Sequence, residues 1–278
     1  MPEYKLIALD LDGTLLTSDK VLTDENRRAL TRAAEAGVEI VPATGRFYEG
    51  MPECIRSLPF VHYGITINGA QVWDVRKQQA VCKAEIPYKR AVEVLTYLDT
   101  LPVIYDCYMD NWGWMTQSMY DRAAEFAPSV HVLENIRMLR KPVPELKAHI
   151  LDTKHDIQKL QMFFKDMDLR LRTIPDLKER FPDLSVTTAI VNNIEINSLQ
   201  AQKGNALAAL AEHLHLDMAG TVAFGDDFND ESILKKAGVG VAMANAPEAI
   251  RKIADRVTGS CDESGVAQEI YRLMPELR

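Results

Sequence analysis

Two aspartates, Asp10 and Asp12, stand two positions apart where the uninterrupted apolar run Leu6-Ile7-Ala8-Leu9 ends, and Gly13 and Thr14 follow directly. A run without polar alternation fits a strand buried on both faces of a parallel sheet. Ligands of open α/β sheets bind at the carboxyl ends of such strands. Two carboxylates placed there repel unless a cation or a shared proton holds them, so the pair predicts a metal, a perturbed titration, or both. Gly13 permits a sharp departure from the strand, and Thr14 offers a hydroxyl beside the turn. Two plainer explanations compete. A calcium loop needs a third oxygen ligand before its glycine and a bidentate Glu later; the apolar strand leading into Asp10 and the lack of that Glu speak against it. The other is a solvated turn that carries two Asp, which these five residues alone do not exclude.

Three further segments have the same character. Thr44-Gly45-Arg46 ends a second apolar run, and a hydroxyl, an unobstructed backbone amide and a guanidinium suit an anionic tetrahedral group, although glycine at a strand end is also ordinary turn chemistry. Lys203-Gly204 opens a helix, which puts an ammonium at the positive end of the helix dipole, against the usual preference. Gly225-Asp226-Asp227-Phe228-Asn229-Asp230 follows the apolar Val222-Ala223-Phe224. Carboxylates so crowded at a buried edge read as ligands and supporting partners of a hard cation. Mg²⁺ is preferred over Ca²⁺, because few protein carboxylates converge and positions remain for waters and a phosphate oxygen. The six histidines show no metal-ligand pairing beyond His213 and His215 near a helix end.

The elements that must hold these residues follow from pattern. A helix is predicted over 22–36, with Thr23 or Asp24 as N-cap and Gly37 closing it, then a strand over 38–43, a further helix, and a strand over 63–67. This β-α-β-α-β start predicts a doubly wound parallel sheet. The style changes near Gln78-Gln79-Ala80. Helices over 88–98 and 156–165 and strands over 103–108, 184–190 and 194–197 then predict an inserted α+β domain with an antiparallel sheet, whose interior takes Tyr105, Tyr108, Trp112 and Trp114. From Lys203 the α/β style returns, with a helix from Pro247 and a last helix over 265–273. The predicted division is therefore 1–82 and 198–278 for the α/β core and 83–197 for the insert.

A chain of 278 residues buries a core easily, and its net charge of −8 argues against nucleic acid or an anionic membrane as the principal partner. Cys54, Cys82, Cys107 and Cys261 lack C-x-x-C spacing, so reduced, buried thiols are expected rather than a zinc site or a disulfide framework. No apolar stretch is long enough to span a bilayer, and Met1-Pro-Glu-Tyr-Lys runs straight into the first strand, so a cytoplasmic protein is expected. Nothing in the sequence specifies the oligomeric state.

Taken in order, the four segments resemble the motifs of the haloacid dehalogenase superfamily of phosphotransferases, and the resemblance covers the whole chain. The insert between the second and third motifs is similar to the cap of the Cof-type, or IIB, branch. The resemblance implies a Rossmann-like core with a cap that closes over it and selects the substrate. It implies Asp10 as the nucleophile that forms an aspartyl-phosphate, and Asp12 as the acid that protonates the leaving oxygen and then activates water. Asp10, Asp226 and the backbone carbonyl of Asp12 would hold Mg²⁺, with Asp230 and, more weakly, Asp227 supporting them from behind. Thr44, Gly45, Lys203 and Asn229 would hold the phosphate, with Arg46 nearby. The implied activity is Mg²⁺-dependent hydrolysis of small phosphorylated metabolites, sugar phosphates foremost. A phosphomutase shares the nucleophile and a similar cap; a protein that only binds a phosphometabolite would need neither Asp10 nor Asp12.

Overall fold

The computed structural model describes residues 4–278. Its strands are β1 (Leu6–Leu9), β2 (Glu39–Pro42), β3 (Tyr63–Thr66), β4 (Gln71–Asp74), β5 (Gln79–Lys83), β6 (Ile104–Met109), β7 (Trp112–Thr116), β8 (Arg140–Val143), β9 (Lys159–Phe163), β10 (Leu184–Thr187), β11 (Asn193–Ser198), β12 (Thr221–Gly225), β13 (Val239–Ala242) and β14 (Arg256–Val257). They fall into two compact units, one formed by the residues up to Lys83 with Gln200–Arg278, the other by Ala84–Leu199.

The first unit carries a parallel sheet in the order β14-β13-β12-β1-β2. All four residues of β1 are buried, because helices cover both faces. Ile7 and Leu9 pack with Leu30 of the helix Asp24–Glu35 and Ile270 of the helix Gly265–Leu273. Leu6 and Ala8 pack on the other face with Leu207 and Leu210 of the helix Lys203–His213 and with Ile233. Thr23 is the N-cap of Asp24–Glu35, its side chain accepting from the Asn26 N–H. Pro247, expected at the first helical position, is instead the N-cap of Glu248–Ile253. The chain leaves β1 toward β2 on one side, while β12, β13 and β14 build outward on the other, so the strand order reverses between β1 and β12. At that reversal the carboxyl ends open a crevice.

In this unit β3 differs from the sequence reading. β3 does not extend the parallel ladder; it heads an antiparallel meander, β3-β4-β5, and touches the end of β2 through the single parallel bridge Ala43–Ile65. The connection before it holds only the one-turn helix Glu53–Arg56 and a 3₁₀ turn, short of a full crossover helix.

In the second unit a six-stranded sheet runs β10-β11-β9-β6-β7-β8, antiparallel except between β7 and β8. The helix expected over 156–165 is absent, and β9 stands there as an inner strand with every residue buried. Ile157, Leu160 and Phe164 have helical spacing, but Leu160, Met162 and Phe164 equally have the period of a strand. Lys159 and Gln161 are buried on the opposite face. There Lys159 Nζ donates to Glu195 Oε1 at 2.8 Å, and Arg140 donates from Nε to Asp106 Oδ2 at 2.9 Å and from Nη2 to the Tyr108 hydroxyl at 3.0 Å. Tyr105 and Trp114 pack on the apolar side, whereas the Tyr108 ring lies under Lys159 and Arg140. Burial lifts the Asp106 carboxyl above its ordinary range even with Arg140 beside it. Arg140→Met strands this carboxylate and lowers stability by about 3–5 kcal/mol, read by urea unfolding through tryptophan fluorescence. Pairing it with Asp106→Leu recovers most of the loss; an unchanged midpoint in the single variant would contradict the pairing.

The four cysteines are unpaired; Cys107 and Cys261 are buried, while Cys54 and Cys82, expected to be buried, are only half so.

Candidate active site

β1 and β12 pair in register with Leu9 beside Phe224, and the Asp10 N–H extends the ladder by donating to the Phe224 carbonyl at 3.0 Å. This fixes Asp10 at the mouth of the crevice. Lys203 reaches it from the first turn of Lys203–His213, wholly buried, and its Nζ donates to Asp10 Oδ1 and to Asp230 Oδ1, each at 2.6 Å. The neighbouring Gly204 allows this approach, since a methyl group there would stand 2.2 Å from the Ser232 carbonyl. The dipole argument against lysine at a helix start is outweighed by two carboxylates in contact.

Asp230 is fully buried, and its second oxygen accepts the N–H groups of Asp226 at 2.9 Å and Asp227 at 3.2 Å. Asp230 thus holds the loop after β12 in shape. Asp226 is fixed by Thr14, whose hydroxyl donates to Oδ1 at 2.7 Å. Gly13 adopts φ +89°, and a Cβ there would lie 2.4 Å from Asp226 Oδ2, so both its conformation and the space it leaves require glycine. Carboxylate oxygens of Asp10, Asp226 and Asp230 lie within 4.8 Å of one another. Asp227 stands apart, its side chain capping the Phe228 N–H.

Asp12 points elsewhere. Arg46 donates to its Oδ2 from Nε at 3.2 Å and Nη2 at 2.9 Å, and Lys20 forms an ion pair with Oδ1 at 3.0 Å. Arg46, expected near a phosphate, is therefore engaged with the second aspartate. Thr44 is buried, its N–H donating to the Ile65 carbonyl at 2.8 Å. A Cβ on Gly45 would lie 3.0 Å from Asn68 Oδ1, the same oxygen that accepts from Asn229 Nδ2 at 3.4 Å. Asn68 adopts φ +58° and so joins the second and fourth motifs. Sequence reasoning missed Asn68, Lys20 and Asn245, whose Nδ2 donates to the Gly13 carbonyl at 2.8 Å. Asn68-Gly69 after an apolar strand was a usable signal; a loop lysine and a loop asparagine carry none.

The electrostatics divide the two motif aspartates. Burial pushes the Asp10 carboxyl up to about 8, with Lys203 opposing and Asp230 and Asp226 adding to the rise. Burial likewise lifts Asp226 to about 6 against the Thr14 hydrogen bond. For Asp12 burial works the same way, but Arg46 and Lys20 outweigh it and hold the carboxyl below its usual range. Burial disfavours the charged Lys203, yet Asp10 and Asp230 keep it above the ordinary lysine range. Three carboxylates cluster where one ammonium pairs with two of them, and a set of hard oxygen donors of this kind fits a hard divalent cation. Asp230 has both oxygens engaged, which leaves Asp10 and Asp226 as the side chains best able to ligate it.

Over residues 7–270 the chain matches the haloacid dehalogenase-like hydrolases. It is 31% identical over 271 residues, 96% of this chain and 95% of the other, to the 5-amino-6-(5-phospho-D-ribitylamino)uracil phosphatase YcsE of Bacillus subtilis (strain 168). It is 28% identical over 279 residues, 96% and 97% of the two chains, to the pyridoxal phosphate phosphatase YbhA of Escherichia coli (strain K12). A crystal structure of a haloacid dehalogenase-like hydrolase from Bacteroides thetaiotaomicron has a TM-score of 0.83 at 26% identity, over 98% of this chain and 100% of that one. The HAD subclass IIB sugar phosphatase BT4131 shares the fold, with a TM-score of 0.77 at 20% identity over 96% and 98% of the chains. The chain therefore belongs to the haloacid dehalogenase-like hydrolase family, as one of its phosphatases.

Proposed function

We propose that this phosphatase hydrolyses small phosphorylated metabolites, sugar phosphates and related phosphomonoesters, through a phosphoryl group carried on Asp10, with Mg²⁺ as cofactor. The observation that carries the reading is the buried Lys203 ammonium bridging Asp10 and Asp230 at 2.6 Å each. It holds one oxygen of Asp10 and leaves the other to attack phosphorus. Asp12, held as a carboxylate by Arg46 and Lys20, takes up the proton that a phosphomonoester monoanion brings, passes it to the leaving oxygen, and then takes one from the water that attacks next. The Thr44 hydroxyl, the Gly45 amide, Asn229 and Lys203 hold the phosphoryl oxygens. Arg46 serves this site by orienting Asp12. Asp10, Asp226 and the Asp12 carbonyl would hold the cation, with Asp230 and Asp227 shaping the loop that presents Asp226. When bound, Mg²⁺ neutralises phosphate charge and so admits an anionic nucleophile.

YcsE is named for a phosphoribitylamino-uracil and YbhA for pyridoxal phosphate, which supports small phosphomonoesters as the substrate class. We assign substrate selection to the second unit, Ala84–Leu199, as the cap. The net charge of −8 supports a partner that is not nucleic acid. Among the described residues no helix is long and apolar enough to cross a membrane, and the unpaired cysteines fit the reducing cytoplasm.

Phosphate release from a panel of phosphomonoesters is the direct test, with activity lost under chelation, restored by Mg²⁺ and inhibited by Ca²⁺. Melting temperature supplies a second readout. Asp10 at about 8 and Asp226 at about 6 lie above the usual aspartate range, so the folded, chelated protein keeps protons that the unfolded chain releases. Its stability therefore falls as pH rises toward 8. A cation displaces those protons, and the gain from Mg²⁺ is larger at pH 8 than at pH 5. Equal gains at both pH values would remove these acids from the cation's site.

A further inference from the structure

Outside the crevice, the helices that cover one face of β1 carry a second concentration of charge. Along the helix Asp24–Glu35, Asn26, Ala29, Leu30 and Ala33 turn inward and are buried. Glu25, Arg28 and Arg32, at i, i+3 and i+7, form one stripe along its flank. With Tyr271 of the helix Gly265–Leu273, and with Arg278 beyond the 3₁₀ turn Pro275–Leu277, they line an open cavity of about 510 Å³. No residue of the four motifs lines it.

Fixed structure walls this cavity. Asn26, wholly buried, donates from Nδ2 to the Leu15 carbonyl at 3.1 Å and accepts the Ala267 N–H at 3.0 Å, which ties the two helices together. Leu277 is buried against them, and its carbonyl accepts from Arg32 Nη1 at 2.8 Å. That bond anchors the Arg32 guanidinium at the wall. Arg28 pairs with Glu25 at 2.5 Å, an ordinary i, i+3 contact, but neither Arg32 nor Arg278 forms an ion pair among the described residues. On a chain of net charge −8, guanidiniums gathered in one cavity set up a local positive field. Their planar forks match phosphate oxygens, and the volume is that of a metabolite site rather than of a single ion.

We propose that this cavity is a second anion site, which takes a phosphate dianion carried on a small organic body. Arg32 and Arg278 hold the phosphate oxygens, Arg28 adds charge from beside Glu25, and Tyr271 supports the organic part. Three guanidiniums against one carboxylate side chain leave an excess of two positive charges, which a phosphomonoester dianion balances. The site is independent of the roles given to Asp10 and Asp12. Inorganic phosphate, which hydrolysis releases, is the other source of the same chemistry.

The test is a calorimetric titration of the whole chain with benzylphosphonate, whose carbon–phosphorus bond keeps the ligand intact whatever the crevice does. One molecule is expected to bind per chain beyond any held in the crevice. Arg32→Gln and Arg28→Gln each weaken that binding about tenfold, and the double variant loses it. Arg28 is 64% exposed, so its variant stays folded even if Arg32→Gln, which gives up the Leu277 bond, does not. Lys252→Gln removes an exposed charge outside the cavity and leaves binding unchanged. The same stoichiometry and affinity in the parent and the double variant would overturn the site. So would a loss with Lys252→Gln as large as with Arg28→Gln, because overall charge alone would then explain the attraction. Inorganic phosphate is expected to bind this site more weakly than benzylphosphonate; equal affinity would overturn the assignment to an organic phosphate and make the released phosphate the occupant.

Discussion

Asp10→Asn yields a folded protein whose turnover is lower by roughly a thousandfold or more, with no acid-stable label on the chain after quenching. The amide keeps the shape of the carboxylate and still offers an oxygen to the Lys203 ammonium, which retains its ion pair with Asp230 at 2.6 Å. What disappears is the anionic oxygen that attacks phosphorus. Burial already pushes the Asp10 carboxyl up to about 8, so a neutral group at this position carries no stability penalty near neutral pH, and the melting temperature stays level or rises. Steady-state phosphate release and thermal melting check both halves. Comparable turnover in a well-folded variant would take the nucleophile away from Asp10.

Lys203→Met affects fold and activity together. The side chain is wholly buried between Asp10 and Asp230, and a methionine fills the volume while leaving both carboxylates without their cation. Removing one partner from such a buried set costs about 3–5 kcal/mol, because the charge left behind has neither water nor a counter-charge. Asp230 also orders the backbone amides of Asp226 and Asp227, so the loss spreads into the loop after β12. Turnover is expected to fall by a further hundredfold or so, since one donor to the developing phosphoryl charge is lost. Adding Asp230→Asn to Lys203→Met removes one stranded charge and recovers part of the stability, a coupling that thermal or urea unfolding measures. A loss below about 1 kcal/mol in the single variant would show that the bridge contributes no more than a surface ion pair.

Much of the site was legible in the sequence because its pieces are local. An apolar run followed by an acid marks the carboxyl end of a buried strand, and this holds for Asp10 after Leu6–Leu9 and for Asp226 after Thr221–Gly225. Gly13 and Gly204 were readable as turn and helix-start residues. The doubly wound class followed from strands and helices alternating with clear periods, and the structural likeness bears it out. Where two periods fit the same residues, the sequence reading chose wrongly: Ile157, Leu160, Met162 and Phe164 suit a helix or a strand, the helix expected over 156–165 is not formed, and burial of Lys159 and Gln161 beside Glu195 settled the matter.

The partners of long charged side chains were decided only by tertiary structure. Arg46 was expected at the phosphate because of its neighbours Thr44 and Gly45, yet it turns to Asp12, 34 positions earlier. Lys203 reaches Asp10 across 193 positions, and Asn68 reaches Asn229 across 161. A Lys or Arg side chain has several rotatable bonds and spans many candidate partners, so chain spacing does not choose among them. Local pattern determined which residues stand at the crevice between β1 and β12; the packing of loops around it determined which of their charges meet, because Coulomb attraction acts on distance in space and the sequence records only distance along the chain.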